Sequence, residues 1–311
     1  MVLEVTPLNE PLGAVVHGWE PHASLSNRDV DVIRGGLRAH AVLVFRGHAR
    51  PTDDQLVRFA ETFGDLVKGS EWFGDIAPKP EILRVNNLID DDGVAQGTGA
   101  SDSLEWHSDY SYVHTVGKES FLEAVEVPSV KPPKTYFCSQ YDAFDRLPAA
   151  LADKLRGLRA HHSITNYAAG GKRRPHEGTR NGEDFRDDFQ AKRARNRELG
   201  IERPDIPEAE HPVILQHPDT GRDILYVSRG ITRRIVGMTK DESDDLLKEL
   251  AAHSTPPECV YGHEWRVGDM IMFDTLGTLH RRDAWDPSER RVMRQMSTLW
   301  TPPAETGASP Q

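Results

Sequence analysis

The 311-residue sequence predicts a mainly β protein with peripheral helices, arranged as a sandwich or jelly roll. Two observations support this fold class. Eight short apolar runs, many of them bounded by Pro, Gly or Asp, have the length and composition of strands. Three segments repeat apolar residues at helical spacing. Numerous short strands with a few helices outside them are typical of sandwiches and barrels.

Each of the three predicted helices begins at a residue that can cap it. The first, SNRDVDVIRGGLRAHA, begins at Ser26 and places its apolar residues on one face. The second, TDDQLVRFAETFG, and the third, TKDESDDLLKELAAH, open with capping boxes at Thr52 and Thr239. In both boxes a Gln or Glu three residues later completes the motif, so we expect well-defined helix starts.

The eight predicted strands are, in chain order, AVLVFRG, EILRV, SFLEAVEV, KTYFCSQ, PVILQ, DILYV, DMIMFD and RQMSTLW. The residues between PVILQ and DILYV read HPDTGR, which is the composition of a hairpin turn. This turn contains the pair His217 and Asp219, which we therefore interpret as structural.

Composition limits the class of partner. The net charge of −11 argues against nucleic acid or an anionic membrane as the main partner. No apolar run approaches the ~20 residues that span a bilayer. Cys138 and Cys259 are far apart and lack metal-ligand spacing, so we expect free thiols in a reducing compartment. These features predict a cytoplasmic protein; its oligomeric state stays open, a homo-oligomer included.

A polar stretch at about 168–210 stands apart from the apolar pattern. It is rich in Lys, Arg, Glu and Asp and has few apolar residues. Composition favours a solvated, partly helical insertion. The alternative is a mobile lid over a site, in which Arg173 and Arg174 guide an anionic substrate. We interpret 1–311 as a single domain that carries this insertion.

A second His-x-Asp pair, His107 and Asp109, lies in SLEWHSDYSYVH. Roughly one such pair is expected by chance in a chain of this composition, so the pair alone decides nothing. In a strand, positions i and i+2 face the same way about 6–7 Å apart, so both side chains can bind one metal ion. Near the C-terminus, His280 ends an apolar run and Arg291 opens the next one.

Two imidazoles and one carboxylate on a single face leave other coordination positions open, as in the facial triad of non-haem Fe(II) oxygenases. We expect the polar, turn-rich segment between His280 and Arg291 to join two antiparallel neighbouring strands, which would bring both residues to one mouth of a barrel. There, Arg291 can pair bidentately with the far carboxylate of a dicarboxylate cosubstrate. A His₂-carboxylate site also suits zinc, and this alternative stays open.

In this order the motifs resemble the TauD/TfdA family of Fe(II)/2-oxoglutarate-dependent dioxygenases. The matching segments cover most of the chain: VLVFRG, LVRFAETFGDL, WHSDYSY, HPVILQHPDTGRDILYV, GMTKDESDDLLKELAAHSTPPECVYGHEWRVGDMIMFD and the stretch from His280 to Arg291. The resemblance implies a distorted double-stranded β-helix (jelly roll, cupin-like) core with helices packed outside.

The resemblance also implies an oxidoreductase that uses Fe(II), 2-oxoglutarate and O₂. Such an enzyme oxidises a C–H bond of a small organic substrate, by hydroxylation or desaturation, and releases succinate and CO₂. His107, Asp109 and His280 match the iron ligands, and Arg291 matches the arginine that binds the 2-oxoglutarate C5 carboxylate. Thr135 matches a threonine near that carboxylate, although Pro-Lys precedes it where the family has Gly-Gly. The alternative is a non-catalytic jelly-roll protein that binds a small ligand.

Departures from the family pattern bear on the substrate. The taurine-type enzymes carry a second arginine four residues after the 2-oxoglutarate arginine, and here that residue is Gln295. Arg294, one position earlier, faces the opposite side of a regular strand. The sequence therefore predicts that the substrate is not a taurine-like sulfonate. Trp72 and Phe73, in GSEWFGD, are candidate pocket residues. The family's WDN before the distal His reads FDT, which predicts different support for the iron site.

Overall fold

The computed structural model describes residues 2–91, 95–99, 101–164 and 182–300, with the backbone alone for 182–189. The helices are α1 (Asn27–His40), α2 (Asp53–Glu61), α3 (Gly69–Trp72), α4 (Gln140–Asp145), α5 (Ala149–Leu155), α6 (Gly182–Glu198) and α7 (Lys240–Ser254), with a 3₁₀ turn at Pro257–Cys259. Within these described ranges, none of the helices has the length and apolar character needed to cross a membrane.

Sixteen strands complete the secondary structure of the described residues. The first eight are β1 (Glu4–Pro7), β2 (Ala14–His17), β3 (Val42–Phe45), β4 (Leu83–Asn86), β5 (Leu104–His107), β6 (Gly117–Glu126), β7 (Thr135–Ser139) and β8 (Arg159–His162). The others are β9 (Ala209–Pro212), β10 (Ile214–Gln216), β11 (Asp223–Leu225), β12 (Thr232–Ile235), β13 (Val260–His263), β14 (Met270–Asp274), β15 (Thr278–Arg282) and β16 (Val292–Leu299).

Two sheets build the core. The major sheet has the strand order β1-β2-β3-β14-β6-β16-β4, and the minor sheet has the order β13-β7-β15-β5. A buried apolar cluster joins them, with Ile271, Phe273 and Met293 from the major sheet against Phe137 and Tyr261 from the minor sheet. Nearly all strand pairs are antiparallel, and β2–β3 is parallel. This architecture confirms the predicted mainly β fold class, with a jelly-roll core.

The three predicted helices are present, and two of them cover the outer face of the major sheet. Ile33 and Leu37 of α1 and Leu56 and Phe59 of α2 are buried against that face. All three helices begin at the predicted caps with complete capping boxes. Each box satisfies backbone N–H groups that a helix start otherwise leaves without partners, and this explains why the sequence located the starts well.

All eight predicted strands are present, but one predicted neighbourhood is wrong. The strand that contains His280 (β15) and the strand that begins after Arg291 (β16) are not paired with each other. β15 lies between β7 and β5 in the minor sheet, whereas β16 lies between β6 and β4 in the major sheet. The residues at 283–291 therefore cross from one sheet to the other, over the ~10 Å that separates packed sheets. Both residues are nevertheless buried.

Candidate metal and cosubstrate site

Strand register brings the two candidate histidine ligands together. His280 on β15 is the register partner of His107 on β5, and the centroids of their rings lie 4.0 Å apart. Asp109 completes the group, with Oδ1 3.5 Å from Nε2 of His107 and Oδ2 3.8 Å from Nε2 of His280. One donor atom from each residue lies within 4.8 Å of the other two. The three side chains can therefore bind one ion.

Asp109 reaches this group from a turn, which corrects the strand argument. β5 ends at His107, and Asp109 lies in the turn that follows. Tyr110 has φ 58°, in the left-handed region that non-glycine residues rarely adopt. The turn, and not the alternation of side chains along a strand, therefore brings the Asp109 carboxylate beside the imidazoles. Gly117 permits the tight turn, because a Cβ there would lie 3.0 Å from the carbonyl oxygen of Asp109.

The protonation states suit metal binding. Nδ1 of His107 lies 2.7 Å from the carbonyl oxygen of Glu105, so it carries the proton and leaves the Nε2 lone pair for a ligand bond. Burial, together with the nearby His107, lowers the pKa of His280 to about 3, and its imidazole is neutral. Burial would raise the pKa of Asp109, but the neighbouring imidazoles and the amide of Gln295 hold it below its usual value.

Arg291 is a buried cation. Only 2% of it is exposed, and its Nε has no hydrogen-bond partner among the residues that the structure describes. Burial lowers its pKa well below the usual value, and the positive charge of Arg282 lowers it further. An uncompensated buried charge costs several kcal/mol, so a bound anion would stabilise the Arg291 guanidinium. A planar guanidinium binds a carboxylate best, which fits a dicarboxylate such as 2-oxoglutarate.

Arg282 and Trp285, two residues that sequence reasoning missed, lie close to Arg291. The guanidinium of Arg282 lies 4.3 Å from the ring centroid of Trp285, and that of Arg291 lies 5.5 Å from the same centroid. Arg282 is two residues after His280, so period-two alternation could have placed it on the metal-facing side. Thr135, the register partner of Arg282 on β7, is buried, and its Oγ1 accepts a hydrogen bond from Nε1 of Trp265 at 2.9 Å.

Comparison with known proteins identifies the family. Residues 4–297 match the family model described as "Taurine catabolism dioxygenase TauD, TfdA family". The chain belongs to this family. It is 35% identical to pentalenolactone F synthase of Streptomyces arenae, with 97% of each chain covered. It is 30% identical to the alpha-ketoglutarate-dependent 2,4-dichlorophenoxyacetate dioxygenase of Cupriavidus pinatubonensis, which covers 96% of this chain and 98% of that protein.

A solved structure agrees with this assignment. A taurine dioxygenase from Burkholderia xenovorans superposes with a TM-score of 0.73 at 25% sequence identity, covering 96% of this chain and 90% of that one. This TauD/TfdA protein is therefore an Fe(II)- and 2-oxoglutarate-dependent dioxygenase, and the predicted enzyme class and cosubstrates are confirmed. Nothing in these relatives supports a non-catalytic ligand-binding protein.

The predicted pocket residues Trp72 and Phe73 lie at the end of α3, where both are half-buried. The ring of Trp72 lies 6.0 Å from that of Tyr110 and 6.4 Å from that of Tyr112, measured between centroids. The cluster also contains Val67, Val113, Ile206 and Ile231. Tyr110 directly follows Asp109, so this apolar, aromatic cluster of the TauD/TfdA enzyme adjoins the candidate ligand segment in the chain. We call this cluster the aromatic wall.

The remaining candidates occupy different positions. Nε2 of Gln295 donates a hydrogen bond to Oδ2 of Asp109 at 2.6 Å, so this amide contacts a candidate metal ligand. Arg294 faces the other side of β16, where it binds Glu123 at 2.8 and 2.9 Å and Asp53 at 2.5 Å. Arg173 and Arg174 lie outside the described residues.

The FDT segment supports the site from the backbone. Asp274 accepts hydrogen bonds from the Tyr141 hydroxyl at 2.6 Å and from the backbone N–H of Gly277 at 2.8 Å. These bonds fix the turn that connects β14 to β15, and β15 is the strand that contains His280. The carbonyl oxygen of Thr275 accepts a hydrogen bond from Oγ of Ser108 at 2.6 Å. Since Ser108 lies between His107 and Asp109, the turn is tied directly to the candidate ligand segment.

Proposed function

We propose that this dioxygenase oxidises an unactivated C–H bond of a neutral, largely apolar small molecule. Its iron is held by His107, Asp109 and His280, and Arg291 binds the C5 carboxylate of 2-oxoglutarate. The observation that supports this substrate class is that the polar side chains on β16 already have partners within the protein. Arg294 is paired with acidic residues, and Gln295 donates to a metal ligand, so neither offers an anion-binding group to the substrate.

The protein contributes position and protection. Bound Fe(II), 2-oxoglutarate and O₂ supply the oxidising chemistry, and the cosubstrate leaves as succinate and CO₂. His107 and His280 present their imidazoles from adjacent strands, and Asp109 adds the one negative charge. Arg291 lies in a buried site, where the absence of water strengthens its attraction for a carboxylate. A dry interior also restricts oxidation to the bound substrate.

The aromatic wall favours an apolar substrate. Trp72 and Phe73 are half-buried, whereas Tyr110 and Tyr112 behind them are fully packed. Partly exposed aromatic rings backed by a rigid apolar layer offer contact area to a ligand at low entropic cost. An anionic head group brought against such a wall would need a cation, because an unpaired buried charge is costly. Hydroxyl, carbonyl or lactone groups are tolerated far better.

We also propose that the insertion at about 168–210 acts as a lid. Its described helix, α6, is attached to the loop that follows Trp72 and Phe73. Nζ of Lys192 lies 2.6 Å from Oδ1 of Asp75, and both groups are buried. Nδ2 of Asn196 donates to the carbonyl oxygen of Gly74 at 2.9 Å. Movement of α6 would therefore move the loop beside the aromatic wall, which couples the insertion to the substrate pocket.

A substrate panel tests the proposal. Purified enzyme with Fe(II) and 2-oxoglutarate is incubated with taurine and other sulfonates, aryloxy and alkyl carboxylates, and neutral lactones and alcohols. Succinate is measured above the uncoupled background. The relatives named above justify the lactone and the aryloxy carboxylate arms. We expect coupling to at least one neutral apolar compound and none to taurine.

Two outcomes would change the proposal. Strong coupling to taurine would contradict the substrate class. Coupling to a carboxylate that is lost in the double variant Arg173→Ala, Arg174→Ala would instead make the insertion a substrate anchor, and the substrate an anion. The matched control is Arg197→Ala in the last turn of α6, which removes a positive charge from the same insertion. Loss of carboxylate coupling in both variants would indicate a general charge effect.

A further inference from the structure

Gln295 connects the two sheets at the candidate metal site. Its side chain projects from β16 of the major sheet, whereas Asp109 follows β5 of the minor sheet. The hydrogen bond of 2.6 Å from Nε2 of Gln295 to Oδ2 of Asp109 therefore crosses the interior. The amide nitrogen must be the atom that faces Asp109, because the amide oxygen would repel an ionised carboxylate.

The backbone beneath Gln295 is rigid. β16 is hydrogen-bonded on both sides, and Gln295 is in register with Leu83 on β4 and Leu122 on β6. On the same face of the strand, Met293 is buried in the core between the sheets, and Oγ of Ser297 lies 2.7 Å from Oγ of Ser120. A polar group held on such a platform can fix the orientation of its partner.

Asp109 requires such a partner more than the histidines do. His107 and His280 project from paired strands, and His107 is further oriented by the carbonyl oxygen of Glu105. Asp109 lies in a turn next to the left-handed residue Tyr110, so no strand pairing fixes its side chain. A carboxylate that can rotate freely presents either oxygen, or both, to an ion. A hydrogen bond to one oxygen removes this freedom.

We infer that Gln295 is a positioning residue that fixes the Asp109 carboxylate for metal binding through a single oxygen. The amide occupies Oδ2, and Oδ1, which lies 3.5 Å from Nε2 of His107, remains for the ion. This inference rests on the proposed ligands His107, Asp109 and His280. Gln295 stands where the taurine-type enzymes have their second arginine, and this inference gives it a contact with a metal ligand in place of a substrate contact, because the amide nitrogen donates to Asp109.

The test measures metal binding without substrate or 2-oxoglutarate. Gln295→Met keeps the length of the side chain but removes the donor, and Gln295→Glu replaces the donor with a negative charge beside Asp109. Apo protein is titrated with Co(II), and the absorption of the bound ion reports both affinity and ligand geometry. Loss of partners that orient ligands typically weakens metal binding about 10–100-fold. We expect about 10-fold for Gln295→Met, more for Gln295→Glu, and a changed absorption spectrum in both.

The matched control is Gln216→Met. Gln216 also lies on a strand and also donates one amide hydrogen bond, to the carbonyl oxygen of Gly221 in the β10–β11 hairpin. Its loss should leave Co(II) affinity and spectrum unchanged. Thermal unfolding of the apo variants establishes that each one is folded, and if Gln295→Glu unfolds, Gln295→Met alone decides.

Asp109→Ala separates the failure of this inference from failure of the proposed ligands. If Asp109→Ala weakens Co(II) binding while Gln295→Met binds with wild-type affinity and spectrum, the positioning role is overturned and the ligand set stands. If Asp109→Ala binds Co(II) like the wild type, the proposed ligand set itself is wrong.

Discussion

His107 and His217 each precede an aspartate by two residues, and both imidazoles are buried. At His217 both ring nitrogens have partners within the protein. Nδ1 accepts hydrogen bonds from the backbone N–H groups of Asp219 and Thr220 at 3.2 and 3.3 Å, and Nε2 lies 3.3 Å from Oδ1 of Asp274. At His107 the backbone uses Nδ1, and Nε2 faces Asp109. One histidine closes a turn, and the other keeps a lone pair available.

The difference lies in the neighbouring elements, since the three-residue pattern is the same. β5 is paired with β15, which places His280 opposite His107. The β10–β11 hairpin lies in its own two-stranded sheet, and the acidic partner of His217 is Asp274, the last residue of β14 in the major sheet. A buried histidine can bind a metal only where the fold leaves one nitrogen facing further donors. The following predictions test this comparison, starting with the largest effect.

Replacement of each histidine by alanine should separate the two sites. We expect His107→Ala to abolish Fe(II)-dependent succinate formation, by at least about 10³-fold, because one of three protein ligands is lost. His280→Ala and Asp109→Ala should behave alike. His217→Ala should keep turnover within a few-fold but lower the free energy of unfolding by about 2–3 kcal/mol, because Asp274 loses a buried partner. Succinate assays and urea denaturation measure the two effects. A lethal His217→Ala beside a harmless His107→Ala would reverse the assignment.

Two arginines near the start of β16 extend the comparison. Arg291 has an Nε without a partner in the described part of the chain, whereas Arg294 is bound by Glu123 and Asp53. Arg291→Lys keeps the charge but loses the planar fork, so we expect the half-saturation value for 2-oxoglutarate to rise about 10–100-fold, or about 1.4–2.8 kcal/mol.

Arg294→Lys is the matched control for Arg291→Lys. It should leave 2-oxoglutarate binding within about twofold and instead lower stability by about 1 kcal/mol, because the forked contact with Glu123 is lost. Calorimetric titration of 2-oxoglutarate into Mn(II)-loaded protein measures binding without turnover. Equal effects of the two substitutions on binding would remove Arg291 from the cosubstrate site.

The sequence predicted those parts of the fold that depend on local pattern. Capping boxes at Thr52 and Thr239 fix helix starts within a few residues, and the HPDTGR turn fixes the β10–β11 hairpin. The sheet that each strand joins depends on partners distant in the chain. For this reason β15 and β16 were expected to be neighbours, although the crossing residues at 283–291 place them in opposite sheets.

In the candidate site, too, the sequence predicts the residue types but not their geometry. The residue types at 107, 109, 280 and 291 were identified from pattern and family resemblance, because the chemistry restricts which side chains can serve. The geometry of Asp109 could not be predicted, since it depends on the left-handed conformation of Tyr110. Consequently the contact between Asp109 and Gln295 was not foreseen. Arg282 carried a usable signal, its position two residues after His280, but Trp285 stacking depends on the crossing segment.

Asp274 is the structural counterpart of Asp109, and its removal should have a smaller effect. Burial would raise its pKa, but the bonds from His217 and Tyr141 hold that pKa below the ordinary 3.8. The ionised carboxylate therefore adds stability above about pH 4, and this contribution is lost as the pH falls through the folded-state pKa. Asp274→Asn should cost about 1–3 kcal/mol at pH 7. In urea denaturation from pH 7 to pH 3, the difference from wild type should shrink on acidification. A constant difference would contradict the assigned ionisation.

Asp219 should matter least, although it holds the same position in its motif as Asp109. Its carboxylate is one-third exposed and lies 3.2 Å from Nζ of Lys118, an ion pair near the surface. Such pairs contribute about 0–1 kcal/mol. The hydrogen bond to His217 comes from the backbone N–H of Asp219, which alanine retains. Asp219→Ala should therefore change the unfolding free energy by less than about 1 kcal/mol and leave Co(II) affinity and turnover unchanged. A loss of metal affinity in this variant would mean that the second His-x-Asp pair takes part in metal binding.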